Sequence, residues 1–444
     1  MTVHALSLLF DATTISLSTG NNLLLDYVPR TPGTGDLDVT ESATVHVAAA
    51  SSAALQTAVQ ALEDFFVKSK RRQKSGTGAK GYVQLSVAGA TTHRSEVLDG
   101  RLTLGDDSLR LWGNTSVEVL LTWTRRFFWE DPTLTAIGLK NTGTSKTTSG
   151  VLVYNHHDST SHENFVDIEG ADIAGSIPAP VKVTMTAGGT LPTRRFYLTA
   201  NTFHTPVSWQ GIYEGESSTG SGTVTVDANS SGGNYMARTW TTSISHTTNA
   251  FIWAVSATQL GYAAGGWFRV LMRTATDPPA NCYVKLKIKF DATTPLTTLW
   301  EGPEILLQSN EMHDLGAVQL PPGYVTGSPT ALALILSVRN AATAQLDVDF
   351  IQIDGPDGVH RFDQQGSQLV SGDSVIDDGQ NEAVYVQTAG GFTEHIFSDY
   401  PPPLLVWPGR DTRIRLLHND AYGNLPIVKT MTMYAQYRPR RLTV

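Results

Sequence analysis

Only one segment of this chain carries the 3.6-residue period of an α-helix. The apolar residues that share one face of this segment are Leu55, Val59, Leu62 and Phe66. Their spacing of four, three and four positions is that of an amphipathic helix. Ser51 and Ser52 stand at its start, and either can cap it, because a serine hydroxyl can accept a hydrogen bond from the first turn. The sequence therefore predicts one helix, over about residues 52–74, with a buried apolar face.

The predicted helix ends in a basic run. Its members are Lys68, Lys70, Arg71, Arg72 and Lys74. Cations stabilise the C-terminal end of a helix through its dipole, so a solvated helix end accounts for the run. A nucleic-acid patch is the alternative. The formal net charge of −9 argues against tightly held nucleic acid, since phosphates need a basic surface.

Outside this segment, apolar residues alternate with polar ones, which is the period of a β-strand. Residues 82–87 and 117–124 are two examples. Only 16% of the residues are charged, and a composition low in charge favours strands and turns over helices. We therefore predict a mainly β protein, whose residues 1–180 form a β-sandwich or barrel with the helix packed on it.

The length of 444 residues predicts more than one domain. Residues 177–180 form a proline-bounded joint, and we place the first boundary after residue 180. Residues 181–364 contain many short strands, the pattern of a central jelly-roll β-sandwich. Within them, residues 216–233 are rich in Ser, Gly and Thr and are expected to form a mobile loop. The expected jelly-roll core residues are Phe268, Val270, Leu286, Ile288, Leu334, Leu336, Val348 and Phe350.

Cys282 is the only cysteine, so the chain cannot form an intrachain disulfide. This suits a protein that folds in a reducing cytosol. Residues 1–7 show neither the basic region nor the apolar region of a signal peptide, and we expect none. No stretch approaches the roughly 18 consecutive apolar residues of a spanning helix, so we expect no membrane partner.

Short motifs near both ends of the chain carry a resemblance to a known family. Residues 123–130 (WTRRFFWE) end a predicted strand, and residues 93–100 (HRSEVLDG) precede them as a predicted hairpin. The C-terminal motifs, in chain order, are residues 372–377, 401–404, 407–412 and 437–439. Together these motifs resemble the distal tail (tail-tip, or baseplate) proteins of long-tailed, siphovirus-type bacteriophages, over roughly residues 1–180 and 365–444.

The resemblance implies a fold, a role and partners. Distal tail proteins carry a galectin-like C-terminal region, so residues 365–444 are expected to form galectin-like strands. The implied role is a structural ring component of the virion tail tip, made in the host cytoplasm. The implied partners are further copies of the chain, in a homo-hexamer or a trimer ring. Other tail proteins are implied as well: the tail tube, the tape measure and the tail hub or fibre.

The middle of the chain departs from this pattern. Residues 181–364 look like an inserted jelly roll similar to carbohydrate-binding modules, which would add attachment to a host cell-surface glycan. Exposed aromatic rings stack on the faces of sugars. The glycan-binding candidates are Trp209, Tyr213, Trp267 and Trp300. Core packing is the alternative for these rings, because tryptophan is usually mostly buried.

Two groups of residues are candidates for holding a metal ion. Asp347 and Asp349 alternate with apolar residues in a late strand, and similar modules often hold a structural calcium ion there. His157 and His162 lie in a polar loop with further His, Asp and Glu residues, a set that suits a transition metal. The alternatives are solvated strand aspartates and a polar loop that supports a subunit contact. We expect no other cofactor.

The sequence also bears on catalysis. It contains nothing that resembles a nucleophile elbow or a Walker-type phosphate loop, so we expect that the protein is not an enzyme. Two alternatives to the tail protein stay open: a glycan-binding adhesin, and the binding module of a glycan-degrading enzyme. Ring assembly in the absence of sugar would favour the tail protein. Monomeric behaviour with sugar affinity would favour the adhesin.

Overall fold

The computed structural model describes most of the chain. The described residues are 4–33, 35, 37–75, 78–87, 92–104, 113–142, 144–154, 163–189, 195–202, 211–227, 230–256, 267–290, 298–309, 312–319, 331–341, 343–354, 358–363, 369–391, 393–395, 402–418 and 431–443. They contain one α-helix and 33 β-strands. The predicted fold class, mainly β with one α-helix, is confirmed.

The elements are numbered here in chain order. The N-terminal ones are β1 (His4–Phe10), β2 (Thr13–Ser16), β3 (Asn22–Tyr27), β4 (Asp38–Ala48), α1 (Ser52–Ser75), β5 (Gly81–Val87), β6 (Thr92–Leu104), β7 (Ser116–Arg126) and β8 (Trp129–Glu130). The next are β9 (Thr135–Ala136), β10 (Leu139–Lys140), β11 (Val151–Val153), β12 (Phe165–Ile168), β13 (Ala179–Ala187) and β14 (Arg195–Thr202).

The central strands are β15 (Gly211–Glu214), β16 (Thr223–Val226), β17 (Asn234–Trp240), β18 (Asn249–Ser256), β19 (Trp267–Thr274), β20 (Tyr283–Phe290), β21 (Thr298–Glu301), β22 (Ile305–Leu306), β23 (His313–Gln319), β24 (Ala331–Arg339) and β25 (Ala344–Asp354). The last are β26 (Val359–Asp363), β27 (Ser374–Asp378), β28 (Ala383–Gln387), β29 (Thr393–His395), β30 (Leu405–Val406), β31 (Thr412–His418), β32 (Met431–Tyr437) and β33 (Arg440–Arg441).

The chain divides into two compact units. The first comprises Met1–Thr135, Ala174–Pro178 and Arg438–Val444, and the second comprises Ala136–Ile173 and Ala179–Tyr437. Both units therefore take residues from separate parts of the sequence.

The first unit is a β-sandwich whose main strand order is β2-β1-β5-β6-β7-β4-β3. The long strand β6 joins the two layers. It pairs with β5 up to Glu96 and with β7 from Val97 onward, with a register shift between Val97 and Asp99. Such a bulge bends a strand, which lets β6 serve both layers. β2 and β3 are the outer strands of this order.

Helix α1 packs into the core of the first unit, as the sequence predicts. Ala54 N donates a hydrogen bond to Ser51 Oγ at 3.2 Å, which caps the first turn. The four residues of the predicted apolar face are all buried. Phe66 lies so close to Gly100 that a Cβ there would come within 2.2 Å of the ring, so only glycine fits. Among the described residues, no helix has the length and apolar character needed to cross a membrane.

A buried ion pair fixes the chain that follows β3. Arg125 Nη2 donates to Glu41 Oε1 at 2.7 Å, and both side chains are fully buried. Glu41 also accepts hydrogen bonds from the Tyr27 hydroxyl at 3.0 Å and from Arg30 N at 2.8 Å. The backbone after β3 is therefore anchored to the sandwich.

The second unit contains two β-sandwiches. One of them, called the second sandwich below, pairs the sheet β10-β12-β31-β14-β26 with the sheet β11-β32-β13-β27-β28-β29. Its core residues, which include Val183, Leu198, Leu416 and Met433, form one continuous cluster.

The other sandwich of the second unit is the jelly roll, β15–β25. Its two sheets have the orders β16-β17-β25-β19-β23 and β18-β24-β20-β21. From β17 to β20 the chain alternates between the two sheets, and it does so again from β23 to β25. This is the connectivity of a jelly roll.

The jelly roll is an insertion into the second sandwich. β14 and β26, the strands on either side of it in the sequence, are hydrogen-bonded neighbours, with Thr199 opposite Val359. As domain boundaries, the predicted ranges 1–180, 181–364 and 365–444 stay predictions. The pairing nevertheless assigns β13, β14 and β26, which lie in the predicted jelly-roll range, to the second sandwich.

Seven of the eight predicted core residues of the jelly roll lie in its core. The exception is Phe350. The register of β19 against β25 shifts between Arg273 and Thr274, which pair with Phe350 and Val348 and skip Asp349. This bulge moves Phe350 to the outer face of the sheet, because one extra residue reverses the side-chain alternation.

Candidate cation site and aromatic residues of the jelly roll

Three of the predicted site residues lie outside the described residues. These are His157, His162 and Trp209. The proposals of a transition-metal loop and of a sugar-stacking Trp209 therefore stay predictions.

The two aspartates predicted for calcium have different partners. Asp347 Oδ2 accepts a hydrogen bond from Thr276 Oγ1 at 2.7 Å, and Asp347 Oδ1 accepts one from Gln345 Nε2 at 2.9 Å. Asp349 is fully buried at the bulge of β25. Its Oδ1 accepts a hydrogen bond from Ser231 N at 2.8 Å, and its Oδ2 lies 3.2 Å from Arg273 Nε.

Two further acidic residues that the sequence analysis did not single out join Asp349. Glu214 ends β15, and its Oε1 accepts a hydrogen bond from Ser231 Oγ at 2.8 Å. Glu216 follows in a short 3-10 helix, Gly215–Ser217. Trp253 Nε1 donates to the Glu214 carbonyl oxygen at 2.8 Å, which holds this part of the chain against the core. We call Glu214, Glu216 and Asp349 the carboxylate cluster.

The turn that contains Ser231 and Gly232 packs against this cluster. Gly232 has a φ of +64°, and a Cβ there would lie 2.7 Å from Glu216 Oε1 and 3.7 Å from Glu214 Cδ. A larger residue would therefore fill the space beside both carboxylates, and it would be strained in this backbone conformation.

Burial governs the charge of the carboxylate cluster. Burial raises the pKa of Glu214 to about 8, and the nearby charge of Asp349 adds to this effect. Burial also raises the pKa of Asp349 to about 7, against the opposing charge of Arg273. The pKa of Glu216 is raised by burial as well. Without a further cation, Glu214 therefore tends to hold a proton near neutral pH, and burial shifts the pKa of the other two carboxyls in the same direction.

The donor atoms of the cluster fit a hard cation. Glu214 Oε2 and Glu216 Oε2 are buried and have no hydrogen-bond partner among the described residues. Buried carboxylate oxygens of this kind are what calcium binds, and a bound cation would remove the cost of burying their charge. In the described part of the chain, no group of three or more His, Cys, Asp or Glu side chains is placed so that it could hold a metal ion, and this includes the carboxylate cluster. The cluster is thus not closed around a single point.

The described aromatic candidates do not form one platform. Tyr213 and Trp300 are both partly buried against the jelly-roll core, Tyr213 from β15 and Trp300 from β21 of the opposite sheet. Trp267, at the start of β19, is 52% exposed. Of these three rings, only the ring of Trp267 is more than half exposed.

The second sandwich holds a buried His–Asp pair. His360 Nδ1 lies 2.6 Å from Asp377 Oδ2, and His360 Nε2 donates to the Pro402 carbonyl oxygen at 2.9 Å. Burial opposes a charge on this imidazole, but the hydrogen bond and the charge of Asp377 outweigh burial and raise the pKa of His360. Since both ring nitrogens are engaged, this histidine is not placed to activate a nucleophile.

Comparisons with known proteins add little. No family model matches the chain, and no curated protein matches it. Among solved structures, a chain from the structure of infectious bursal disease virus Gx strain is similar, at 9% identity, over 69% of this chain and 79% of that chain, with a TM-score of 0.15. A TM-score this low carries no argument about fold or function.

Proposed function

We propose that this protein is a structural ring component of a bacteriophage tail tip, a distal tail or baseplate protein without enzymatic activity. The observation that carries the proposal is the inserted jelly roll. It interrupts the second sandwich between two adjacent strands, and the chain on both sides of it bears the motifs that resemble distal tail proteins. An insertion between neighbouring strands is tolerated where the parent fold is exposed, so the jelly roll is suited to outward display.

An exposed apolar edge in the first unit supports self-assembly. β3 is an outer strand. The large apolar side chains exposed on it or just after it are Leu23, Leu25 and Val28, and Leu37 is exposed immediately before the neighbouring strand β4. Because the buried ion pair of Glu41 and Arg125 anchors the backbone here, these side chains are presented on a fixed surface. Edge strands with exposed apolar residues tend to be covered by another chain.

The charge of the protein supports the same role. The formal net charge is −9, which disfavours tight binding to DNA and suits a ring through which DNA passes. Beyond further copies of itself, the proposed partners are the tail tube, the tape measure and the tail hub or fibre. The proposed location is the virion tail.

The carboxylate cluster gives the jelly roll a proposed structural calcium ion. Glu214, Glu216 and Asp349 would hold it once their carboxylates converge on one point, which they do not do in this structure. The pair Asp347 and Asp349 stays a prediction. When bound, calcium supplies positive charge that neutralises the buried carboxylates. The chain's own contribution is to present the carboxylates beside the Gly232 turn.

Mass photometry and negative-stain imaging of the purified full chain test the proposed ring. We expect trimers or hexamers at micromolar concentration, and ring-shaped particles in the images. A protein that is monomeric throughout this range, and forms no ring in any image, contradicts the proposal.

A glycan-binding role of the jelly roll is the second candidate, and the exposed ring of Trp267 favours it. On a glycan array, the full chain should bind bacterial surface glycans, and Trp267→Ala should weaken that binding at least about fivefold, since stacking on a sugar face requires the ring. Trp253→Phe is the matched control, because Trp253 is buried. If Trp267→Ala binds the glycans as well as the unmodified chain does, Trp267 does not contact the sugar. If the unmodified chain binds no glycan, the proposed attachment role is wrong.

A further inference from the structure

The jelly roll and the second sandwich share a buried apolar cluster. The jelly roll contributes Leu271, Met312 and Phe350 to it. The five-stranded sheet of the second sandwich contributes Tyr197, Val359 and Leu417. All six side chains are buried. The outer face of one sheet is therefore packed on the outer face of the other.

Strand β25 shows how completely the jelly roll is covered there. Every residue from Leu346 to Asp354 is buried, so both faces of the strand are covered. A sandwich that stands free in solvent exposes alternate residues of each strand. β25 therefore lies between two cores: Ile351 and Ile353 face the jelly-roll core, and Phe350 faces the second sandwich.

A buried charge lies at the same junction. Arg415, on β31 of the second sandwich, is 6% exposed, and the charge of Asp354, at the end of β25, acts on it. Gln352 Nε2 donates to both carboxylate oxygens of Asp354, at 3.0 and 2.9 Å. Separating the two sandwiches would remove the charge of Asp354 from Arg415 and leave Asp167 as the opposite charge that acts on it.

We propose that the jelly roll is a rigid arm rather than a tethered module: it unfolds and moves together with the second sandwich, locked by the shared apolar cluster that contains Phe350 and Leu417. This inference goes beyond the proposed function. It rests on the proposed function only for the idea that the jelly roll contacts a host surface. If the jelly roll meets a host surface, a load applied to it reaches the second sandwich without a hinge.

Native-state hydrogen exchange on the full chain tests this proposal. The perturbation is Leu286→Ala, in the jelly-roll core and outside the shared cluster. In one cooperative body, this substitution speeds exchange at the Leu336 amide of β24 and also at the Met433 amide of β32, by the same factor, about thirtyfold or more. The reciprocal control is Val183→Ala in the second sandwich, which should speed exchange at both amides equally.

Two further variants keep the test decisive. If Leu286→Ala does not fold, Ile288→Val is a milder change at a buried position of the same strand, and about a two- to tenfold effect at both amides is expected. Phe350→Ala, which empties part of the shared cluster, should uncouple the two sandwiches, so that Leu286→Ala in that background affects the Leu336 amide more than the Met433 amide. Faster exchange confined to the jelly roll in the unmodified background overturns the rigid arm. This outcome is independent of ring assembly, so it leaves the proposed function standing.

Discussion

The protonation of Glu214 makes the stability of the jelly roll depend on pH in an unusual direction. The pKa of this carboxyl is raised from 4.5 to about 8 in the fold. Between these two values the native state holds a proton that the unfolded chain releases. The stabilising contribution is therefore complete below about pH 4.5 and is lost as the pH rises through about 8. Most carboxylates that are paired with a cation or accept several hydrogen bonds act in the opposite sense, since their pKa is lowered.

The magnitude follows from the shift. One unit of pKa corresponds to about 1.4 kcal/mol, so Glu214 alone accounts for roughly 3–5 kcal/mol of pH-dependent stability. Asp349, with its pKa raised to about 7, acts in the same direction. We expect the free energy of unfolding to fall between about pH 4.5 and about pH 8 in the presence of a calcium chelator.

Urea unfolding, followed by tryptophan fluorescence at several pH values, measures this effect. Other groups also titrate over the range, so the informative quantity is the difference between the unmodified chain and Glu214→Gln. Glutamine carries no charge, and the variant should lose most of the fall with pH. Asp347→Asn is the matched control on β25, because Asp347 is already paired with Thr276 and Gln345, and it should behave like the unmodified chain.

Calcium should reverse the loss. At a concentration about one hundred times its dissociation constant, a ligand that binds only the folded state adds about 2.7 kcal/mol. That gain should appear above about pH 8, where the carboxylates ionise, and it should be absent in Glu214→Gln. If stability does not fall with pH in the chelator, the argument from buried carboxyls is refuted. If stability falls but calcium restores nothing, the calcium assignment alone is refuted.

Three further predictions concern the first unit. Leu62→Ala should lower the free energy of unfolding by about 2–5 kcal/mol in urea titrations, and a change below about 0.5 kcal/mol would show that this helical face is not packed as described. Arg125→Met leaves the charge of Glu41 buried without its partner and should cost about 3–5 kcal/mol by the same method, so a near-neutral result would contradict the buried pair. Leu25→Glu should dissolve the ring seen by mass photometry, whereas Val226→Glu, at an exposed apolar residue of the jelly roll, should leave it intact; a ring that survives Leu25→Glu does not use the β3 edge.

The helix and most of the jelly-roll core could be predicted from the sequence because both depend on local periodicity. The spacing of Leu55, Leu62 and Phe66 defines one helical face, and tertiary packing buries that face. Likewise, Leu334 and Leu336 alternate within a single strand and point to the same core. Such a pattern can be recognised without knowing which strands are neighbours in a sheet.

Pairing partners far apart in the sequence could not be predicted in this way. β12 pairs with β31, and β13 pairs with β32, across more than two hundred residues. The alternation of apolar residues shows that each segment is a strand, but it does not say which other strand completes the sheet. The predicted boundary after residue 180 followed a proline joint, whereas the pairing groups β12 and β13 with the C-terminal strands.

Only one of the three residues of the carboxylate cluster was predicted from the sequence as a site residue. Asp349 was singled out, but Glu214 and Glu216 were not, and residues 216–233 were expected to form a mobile loop. Within that stretch the structure describes β16 and two short 3-10 helices. The sequence signal was the pair of acidic residues that flanks Gly215. In the structure, a Cβ at Gly215 would lie 1.9 Å from the Val348 carbonyl oxygen of β25. A glycine held this close to another strand, between two acids, indicates a packed site rather than a loop.

Strand β25 explains why the junction between the two sandwiches was also missed. A strand covered on both faces usually reads as a continuous apolar run, but the aspartates of β25 interrupt that run and made it look half exposed. In the structure, Asp349 is buried beside Arg273, and Asp354 is buried where its charge acts on Arg415. Because a buried carboxylate needs a counter-charge or a proton, each acid in such a strand implies a partner outside it. Acidic residues in an otherwise apolar strand are thus consistent both with a strand covered on both faces and with a strand that has one face open to solvent. An arginine placed opposite each acid indicates the first of these arrangements.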